Sequence, residues 1–575
     1  MKDSPAREPA MLQSAADLVD RITASRRRAL AALAVIALAS FLPGFFSLPA
    51  VDRDEARYAQ AVRQMVQTGD WVDIRLQDVP RYKKPVGIYW LQSVPVALAG
   101  KEGRAPIWMH RLPSLVAAVA AVLLTYWVAL PLVGRGAAFL AGSMMAVSLV
   151  LGVEARLAKT DAALLASVLV AEGVLVRAWL RWRAVATPEV AGWRPWLYPL
   201  LFWTALAAGI LVKGPLIVLY IGLTVAALSL VERSLAWLAD LRPLAGLAWC
   251  LALALPWFVA IGVRSDGAFF RAAMVDSVAG KILESHEGHG APPLTHLLMF
   301  WGTFWPGSLI VALAIPELWR RRGEYWMRYL ASWAGPAWLV FELITTKLPH
   351  YLLPALPAIA IAAAGVAGGE HWMPKRRAAK IAAGSVIAVA CLGGGAAIVA
   401  ALWFAHRETP GVAAIAVSLA AVGLLGLTAT LCMRAIAVRA GPRLFAGLLL
   451  GIMVTYWLLY PALARIEALW PARQVGEMVA RFDGCAKPFL VSAGYHEPSL
   501  VFSTRTDLVL SDGAGAAEAL SGRDCGIAIV AQNQLPAFLG RARAESVALT
   551  PLGSVSGLDI GGADWLELSL FSAGR

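Results

Sequence analysis

The sequence predicts a polytopic all-α membrane protein with about thirteen transmembrane helices and a small C-terminal α/β domain. Of its 575 residues, 59% are hydrophobic and only 15% are charged, and the mean hydropathy is +0.64. Soluble domains are about 45–50% apolar and about 25% charged, so this composition excludes a water-soluble globular protein. The net charge of +13 would also suit a nucleic-acid-binding protein, but in so apolar a chain it more often reflects basic cytoplasmic loops.

Apolar runs long enough to cross a bilayer follow one another along most of the chain. They occupy residues 30–48, 112–133, 136–153, 162–180, 195–212, 215–231, 245–263, 296–315, 329–345, 351–368, 381–404, 412–433 and 444–463. A further run at 85–100 is shorter and contains Trp, Tyr and Gln, which is typical of a helix lying along the membrane surface. After residue 465, short apolar runs alternate with helix-like stretches, and this pattern predicts the α/β domain.

Basic residues recur in every second loop, and this pattern predicts the orientation because short basic loops stay in the cytoplasm. These loops contain Arg26–Arg28, Arg135, Arg181 with Arg183 and Arg194, Arg233 with Arg242, Arg320–Arg322, Lys375–Arg377, and Arg434 with Arg439. We therefore expect a cytoplasmic tail at 1–29, a transmembrane domain at 30–464 with outer loops at 49–111 and 264–295, and an outer domain at 465–575. Cys485 and Cys525 could pair if that domain faces an oxidising compartment.

The first outer loop begins with ionisable residues directly after the first span. Asp54, Arg57 and Tyr58 have i, i+3 and i+4 spacing, so in a helix they share one face at the membrane surface. The alternative is a charged helix cap with local ion pairs. A second group precedes the surface helix and consists of Arg81, Tyr82, Lys83 and Lys84. Its cations favour binding of a lipid phosphate at headgroup depth, although nonspecific contact with anionic headgroups would also explain them.

Three other outer turns carry ionisable residues at the ends of spans. Asp161 either caps its helix or faces the same outer cavity as the carboxylate of the first loop. Lys213 lies in a tight turn between two spans, and the third turn contains Lys347, His350 and Tyr351. Ionisable groups at membrane depth are usually functional, so we expect Lys213 and the Lys347, His350 and Tyr351 turn to bind phosphate. Snorkelling to the interface explains either lysine equally well.

Carboxylates, cations and tyrosines on one side of the membrane predict a transferase that uses a membrane-anchored phosphate donor. The sequence has no Walker-type or dinucleotide-binding glycine motif. His286 and His289 are weak metal-ligand candidates because their surroundings lack a typical spacing, so the metal stays unknown. The rival from another class is a lipid transporter or flippase, which predicts mid-membrane charges and repeated halves. Glu172 is among the few charged residues in mid-span.

The outer motifs together resemble a known family, the C-type glycosyltransferase superfamily, and within it the 4-amino-4-deoxy-L-arabinose transferases that modify lipid A. The chain is also similar to protein O-mannosyltransferases. The motifs are, in chain order, Asp54-Glu55-Ala56-Arg57-Tyr58-Ala59, Gly69-Asp70-Trp71, Lys84-Pro85, Tyr89-Trp90, Arg111-Leu112-Pro113, Asp161, Lys213-Gly214, Pro256-Trp257 and Lys347-Leu348-Pro349-His350-Tyr351. They are more specific for undecaprenyl-phosphate-linked transferases in general than for the aminoarabinose branch.

The resemblance implies a C-type glycosyltransferase fold with periplasmic surface helices in the bacterial inner membrane. It implies transfer of aminoarabinose from undecaprenyl phosphate to a lipid A phosphate, which gives polymyxin resistance. Its partners would be that donor, lipid A and membrane lipids, with no nucleic acid. Another sugar, or a protein hydroxyl as acceptor, remains the nearest alternative.

The family's site residues can be placed on this sequence one by one. Asp54 and Asp161 match catalytic-site carboxylates, and Asp161 or Glu55 would receive the ammonium group of the donor sugar. The positions around the carrier phosphate are Arg57, Tyr58, Tyr82, Lys84, Lys213 and Tyr351. Relatives often have an acid before the Lys-Pro step, where this chain has Lys83. The resemblance leaves a divalent metal as the one open cofactor, and this departure puts in doubt a metal site that uses that acid.

Overall fold

A computed structural model describes residues 19–100, 105–274, 291–367, 372–405, 411–562 and 564–574. It confirms the predicted fold class, because the described part of each predicted span lies in a helix or in two consecutive helices, except that the helix of the first span ends at Phe41. The helices of the membrane part are Arg26–Phe41, Ile107–Val147, Leu149–Ala155, Asp161–Trp182, Leu197–Lys213, Leu216–Glu232, Pro243–Arg264, Thr295–Thr303, Gly307–Arg320, Tyr325–Leu343, Leu356–Ala367, Arg377–Ala405, Val412–Ala437 and Gly441–Leu463. Short helices at Pro188–Ala191, Ala236–Leu241, Ala268–Met274 and Pro349–Ala355 lie in the connections.

Fewer helices meet a strict length and hydropathy requirement than the thirteen apolar runs suggest. Within the described residues, seven are long and apolar enough to cross a membrane, or eight if Thr295–Thr303 and Gly307–Arg320 form one span bent by 115°. The helix Ile107–Val147 contains the predicted span 112–133 and most of the span 136–153, and Gly134 separates them with a φ of 76°. Two further apolar helices, Leu197–Lys213 and Leu216–Glu232, have 17 residues each, about 25 Å, and fall just short of a full span.

The first outer loop contains two helices and a short hairpin. The helix Asp54–Thr68 is followed by the antiparallel strands β1 (Arg75–Leu76) and β2 (Val79–Pro80), and then by the helix Gly87–Leu98. This second helix has 12 residues, so its length of about 18 Å is too short to cross a bilayer. The structure thus agrees with the predicted surface helix.

The C-terminal domain contains a five-stranded mixed sheet with helices on both faces. The strands β3 (Phe489–Ala493), β4 (Val509–Ser511), β5 (Cys525–Ala531), β6 (Leu549–Asp559) and β7 (Asp564–Gly574) lie in the order β4-β3-β5-β7-β6. Strand β3 is parallel to β4 and β5, whereas β7 is antiparallel to β5 and β6. The helices are Glu467–Leu469, Pro471–Ala480, Pro498–Ser503, Gly513–Leu520, Gln532–Gln534 and Leu535–Ala544.

Alternation along the central strands explains why both faces of this sheet are covered. In β5, Ile527 and Ile529 belong to one buried cluster, and Ala528 and Val530 belong to another. Successive side chains of a strand point to opposite faces, so each face packs against its own helices. Cys485 and Cys525 form a disulfide that ties the start of β5 to the loop between the helix Pro471–Ala480 and β3.

The basic loops contact one another at one end of the helices. Arg181 pairs with Asp240 at 2.9 Å, and Arg183 pairs with Glu232 at 2.7 Å. Arg181 lies in the last turn of the helix Asp161–Trp182, which has 22 residues. This helix is about 33 Å long, so the basic loops and Asp161 lie a membrane thickness apart.

Candidate functional site

A buried ion pair joins the first outer loop to the membrane helices. The carboxylate of Glu55 accepts hydrogen bonds from Nε and an Nη of Arg111, both at 2.8 Å, and both side chains are fully buried. It also accepts hydrogen bonds from the backbone N–H groups of Val51 at 2.9 Å and Ala158 at 2.8 Å. These four bonds occupy the carboxylate, so Glu55 has a structural role in place of the expected contact with the sugar ammonium.

Asp161 lies at the centre of a cluster of charged side chains. Lys213 Nζ donates a hydrogen bond to Asp161 Oδ1, and Lys159 Nζ lies 3.9 Å from Oδ2. Lys159 also donates to Glu154 Oε1 at 3.3 Å. The His350 ring lies between the two acids, with Nε2 3.7 Å from Asp161 Oδ1 and Nδ1 3.6 Å from Glu154 Oε1. The structure therefore brings together Asp161, Lys213 and His350 from three distant parts of the chain.

Local backbone geometry explains how the helices deliver these groups. Asp161 is the first residue of the helix Asp161–Trp182, and Lys213 is the last residue of Leu197–Lys213. Gly214 follows with a φ of 69° and a ψ of −146°, a backbone conformation that is essentially restricted to glycine, and it ends the helix at the lysine. Both side chains therefore lie at the same end of the helices, opposite the basic loops.

A close backbone contact brings Lys84 to this cluster. A Cβ on Gly87 would lie 2.7 Å from the carbonyl carbon of Leu211, so only glycine lets the surface helix approach the end of Leu197–Lys213 so closely. Lys84, three residues earlier, is half-buried. It lies near enough to His350 for their charges to interact. The sequence motifs Lys84-Pro85 and Lys213-Gly214 are thus neighbours in space.

Asp54, Arg57 and Tyr58 share one helix face, as their spacing predicts. Asp54 and Arg57 form a long ion pair of 3.9 Å, and the Asp54 side chain is 59% exposed. Tyr58 is buried, and burial followed by the neighbouring Tyr89 phenol raises the pKa of Tyr58 well above its usual value. The charges of Asp54 and Asp161 raise this pKa further. Tyr58 therefore keeps its hydroxyl proton and lies near enough to both carboxylates for their charges to act on it.

The cationic stretch before the surface helix divides into buried and exposed groups. Arg81 is buried, donates to the Tyr89 hydroxyl at 3.1 Å, and lies over the Tyr58 ring at 5.1 Å. Tyr82 is partly buried against Phe269, and burial together with the neighbouring Asp73 raises its pKa. Lys83 is exposed. Of the three cations, Arg81 therefore supports the aromatic wall of the site.

Lys347 is the predicted phosphate ligand whose position fits that role least. It is buried, and its ammonium donates to three backbone carbonyls at the end of the helix Tyr325–Leu343, those of Phe341 at 3.3 Å, Glu342 at 2.8 Å and Ile344. These bonds satisfy the last carbonyls of the helix, so Lys347 is a helix cap. This is a correction to the expected phosphate contact.

Tyr351 lies next to the charged cluster. Its ring packs against His350 at a centroid distance of 5.2 Å and against Phe341 at 5.7 Å. Its backbone carbonyl accepts a hydrogen bond from the Tyr220 hydroxyl. Tyr351 is therefore close to the cluster as predicted, on the wall that Tyr220 helps to fix.

No metal site appears among the residues that the structure describes: no three His, Cys, Asp or Glu side chains there are arranged to hold a metal ion. The carboxylates of Glu154 and Asp161 have ammonium groups as partners instead. His286 and His289, the weak candidates from the sequence, lie outside the described residues.

Sequence reasoning missed Glu154 and Lys159 as members of the cluster. Burial opposes the charge of Lys159, but Glu154, Asp161 and Asp54 outweigh this effect and raise its pKa. Asp54 is thus near enough to act on Lys159, which links the first outer helix to the central cluster. The available signal was a run of ionisable residues at the end of an apolar segment, where buried charges usually have a function.

Comparison with known proteins supports the family resemblance. Residues 83–259 match the family model for dolichyl-phosphate-mannose-protein mannosyltransferase. The undecaprenyl phosphate-alpha-4-amino-4-deoxy-L-arabinose arabinosyl transferase of Erwinia tasmaniensis is 27% identical over 316 residues, 54% of each chain. The protein of the same name from Aeromonas hydrophila is 31% identical over 365 residues, 60% of this chain and 62% of that one. The chain thus spans little more than half the length of these relatives.

Two solved structures have a similar fold over almost the whole chain. ArnT from Cupriavidus metallidurans in the apo state is 19% identical, with a TM-score of 0.70 over 94% of this chain and 97% of that one. The same protein bound to undecaprenyl phosphate gives a TM-score of 0.70 at 18% identity, with the same coverage. The chain is thus similar in sequence to the aminoarabinosyl transferases and has the C-type glycosyltransferase fold of ArnT.

Proposed function

We propose that this protein is a glycosyltransferase that moves 4-amino-4-deoxy-L-arabinose from undecaprenyl phosphate to a lipid A phosphate. The observation that carries this proposal is a lysine cluster at one end of the membrane helices, where Lys159 and Lys213 contact Asp161 and Lys84 lies near His350. Lysine ammonium groups bind phosphate as point charges, and their depth suits the headgroup of a lipid carrier. The similarity to transferases with this donor in their names supports the choice of sugar and carrier.

The charged cluster suits a reaction between two anions. A phosphate monoester has a second pKa of about 6, so the acceptor is already ionised near neutral pH and hardly needs a general base. An acceptor oxygen attacks the anomeric carbon, the bond from that carbon to the carrier phosphate oxygen breaks, and the electron pair leaves on undecaprenyl phosphate. Direct displacement inverts the anomeric configuration. Lys84 and Lys213 would stabilise the leaving phosphate and reduce the repulsion between the two anions.

The carboxylates would hold the substrates in place. Asp161 and Glu154 are the acids nearest to the lysines and would receive the sugar ammonium, with Glu154 taking the part first expected of Glu55. Asp54 is exposed at the edge of the cluster and would orient the acceptor. Tyr58, kept protonated by burial, would donate a hydrogen bond to a phosphate oxygen.

A protein hydroxyl is the second candidate acceptor, because the matched family model describes protein mannosyltransferases. A hydroxyl must lose its proton during transfer, so this reaction needs a general base and Asp54 is the open carboxylate available. The Asp54→Asn variant separates the two reactions. With a phosphate acceptor we expect partial activity, whereas with a hydroxyl acceptor we expect a loss of about 10²–10⁴-fold.

We also propose that the site faces the periplasm and that the protein lies in the bacterial inner membrane. The disulfide between Cys485 and Cys525 supports an oxidising compartment for the C-terminal domain. The contacts between basic loops at the opposite end of the helices support a cytoplasmic location for that end. Polymyxin resistance would follow from the reduced negative charge of modified lipid A.

The test is mass spectrometry of lipid A from a host that supplies the donor but lacks its own transferase. Expression of the wild-type chain should add one aminopentose, and Lys213→Ala should abolish most of that signal. Lys487→Ala is the matched control, because this lysine is exposed in the C-terminal domain and should leave the modification unchanged. An unchanged lipid A spectrum with the wild-type chain would refute the proposal.

A further inference from the structure

The helix Asp54–Thr68 has a second polar face that the transfer reaction does not use. Asp54 and Tyr58 lie within electrostatic range of the charged cluster. Gln60 and Arg63 are buried on another side of the helix. Their i, i+3 spacing places these two side chains on one helix face. Buried polar groups need hydrogen-bond partners, so this face must meet another part of the protein.

The partners of this second face come from the C-terminal domain. Arg63 donates to the backbone carbonyl of Phe502 at 2.8 Å, and its guanidinium carbon lies 4.3 Å from the centre of the Phe502 ring. Gln60 Nε2 donates to the Thr506 hydroxyl at 2.8 Å, and that hydroxyl donates to Gln67 Oε1 at 3.2 Å. A cation over an aromatic face and a charged donor on a carbonyl are both favourable when water is excluded.

Phe502 also reaches the membrane domain itself. Its ring makes an edge contact with His110 in the helix Ile107–Val147, at a centroid distance of 5.5 Å. The side chain is buried between this helix and Arg63. Phe502 therefore anchors the C-terminal domain to the two helices that border the site.

The same domain contacts the residues at both ends of the second polar face. Before the helix, Asp52 Oδ1 accepts a hydrogen bond from the backbone N–H of Ser499 at 3.1 Å. After the helix, Gln77 Nε2 in the hairpin donates to the carbonyls of Thr506 at 2.9 Å and Leu508 at 2.7 Å. The helix is thus fixed to the C-terminal domain before, along and after its length.

We propose that the C-terminal domain positions the helix that carries Asp54, Arg57 and Tyr58, and that Arg63 is the main positioning residue. This positioning role rests on the proposed function, because its activity test measures the proposed transfer reaction. The Glu55–Arg111 pair already fixes the start of the helix to the membrane domain. The contact through Arg63, two turns further along, sets the direction of the helix and so the place of its reactive face.

Two measurements on the purified full-length protein test this inference. Arg63→Ala should lower kcat by about 10- to 100-fold with a small change in the KM for the donor, because misplacing reacting groups by about 1 Å has effects of this size. Arg63→Lys keeps a cationic donor and should restore part of the activity. Arg473→Ala is the control, since this exposed arginine pairs with Glu477 on its own helix and should behave as wild type.

Hydrogen exchange provides a readout that does not depend on the reaction. Backbone amides of residues 57–68 should exchange faster in Arg63→Ala than in wild type, while those of the membrane helices stay unchanged. If the wild-type chain has no transferase activity, the proposed function is refuted. The hydrogen-exchange result then tests the positioning role of Arg63 by itself. Wild-type exchange in Arg63→Ala, or an equal loss of kcat and donor affinity without rescue by lysine, would overturn the inference.

Discussion

Replacing Glu55 with glutamine should destabilise the protein, because this change removes the charge partner of a fully buried arginine. The carboxylate accepts four hydrogen bonds, two of them from Arg111. A glutamine side chain keeps one acceptor oxygen but turns an NH₂ group toward the remaining donors. Breaking a buried ion pair typically costs about 3–5 kcal/mol. We expect Glu55→Gln to lower the free energy of unfolding by this amount.

The expected shift in unfolding temperature follows from the size of the chain. At an unfolding entropy of about 2.1 cal/mol/K per residue, a chain of 575 residues has about 1.2 kcal/mol/K, so the shift is about 2–4 °C. Thermal unfolding in detergent, followed by the fluorescence of the 23 tryptophans, is sensitive enough to measure this. The double variant Glu55→Leu with Arg111→Met should lose less than the sum of the single variants, because it removes both charges.

The neighbouring acid provides the matched comparison. Asp54 is exposed and its pair with Arg57 is 3.9 Å long, so Asp54→Asn should change the free energy of unfolding by less than about 1 kcal/mol. Asp54→Asn should instead lower transfer activity. Unchanged stability combined with lost activity in Glu55→Gln would show that Glu55 acts on the substrate and would refute its structural role.

Three further changes have expected outcomes. Gly87→Ala should reduce lipid A modification measured by mass spectrometry. The added Cβ would lie 2.7 Å from the Leu211 carbonyl carbon and would push Lys84 and Pro85 away from the charged cluster. Modification at the wild-type level would contradict this close contact. Lys347→Met should lower the unfolding temperature, because the carbonyls at the end of the helix lose their hydrogen-bond donor. Its activity should fall only as far as the loss of folded protein explains. A loss of activity at unchanged stability would instead support the phosphate-binding role. Burial raises the pKa of both Asp52 and Glu497 above their usual 3.8 and 4.5, so stability should fall as the pH rises from these values through the raised pKa range. Glu497→Gln should weaken this pH dependence in thermal unfolding, and an unchanged profile would contradict it.

Hydrophobic periodicity and loop charge predicted most of the fold. Apolar runs become helices because backbone polar groups in a bilayer must bond within their own segment. The sequence could not show that Gly134 divides one helix without a loop, or that two helices meet at 115°. Both features depend on backbone angles that composition does not specify.

The site was predictable where local spacing determines it. The helix beginning at Asp54 and the convergence of Asp161, Lys213 and His350 agree with the motifs. Adjacent residues on a helix point in different directions, so the acids at 54 and 55 differ completely in burial. Arg111, the buried arginine that pairs with Glu55, is 56 residues away in the sequence. Residue spacing alone cannot show which of the two acids it contacts.

The most direct test of the proposed reaction is transfer by the purified protein with defined lipids. Wild-type protein, undecaprenyl phosphate-linked aminoarabinose and lipid A are mixed in detergent, and modified lipid A is measured over time. We expect product with wild type and a fall in rate of about 10²–10³-fold with Lys213→Ala, the usual effect of removing one electrostatic donor. No product with wild type, or equal rates with and without the Lys213 ammonium, would contradict the role of the charged cluster.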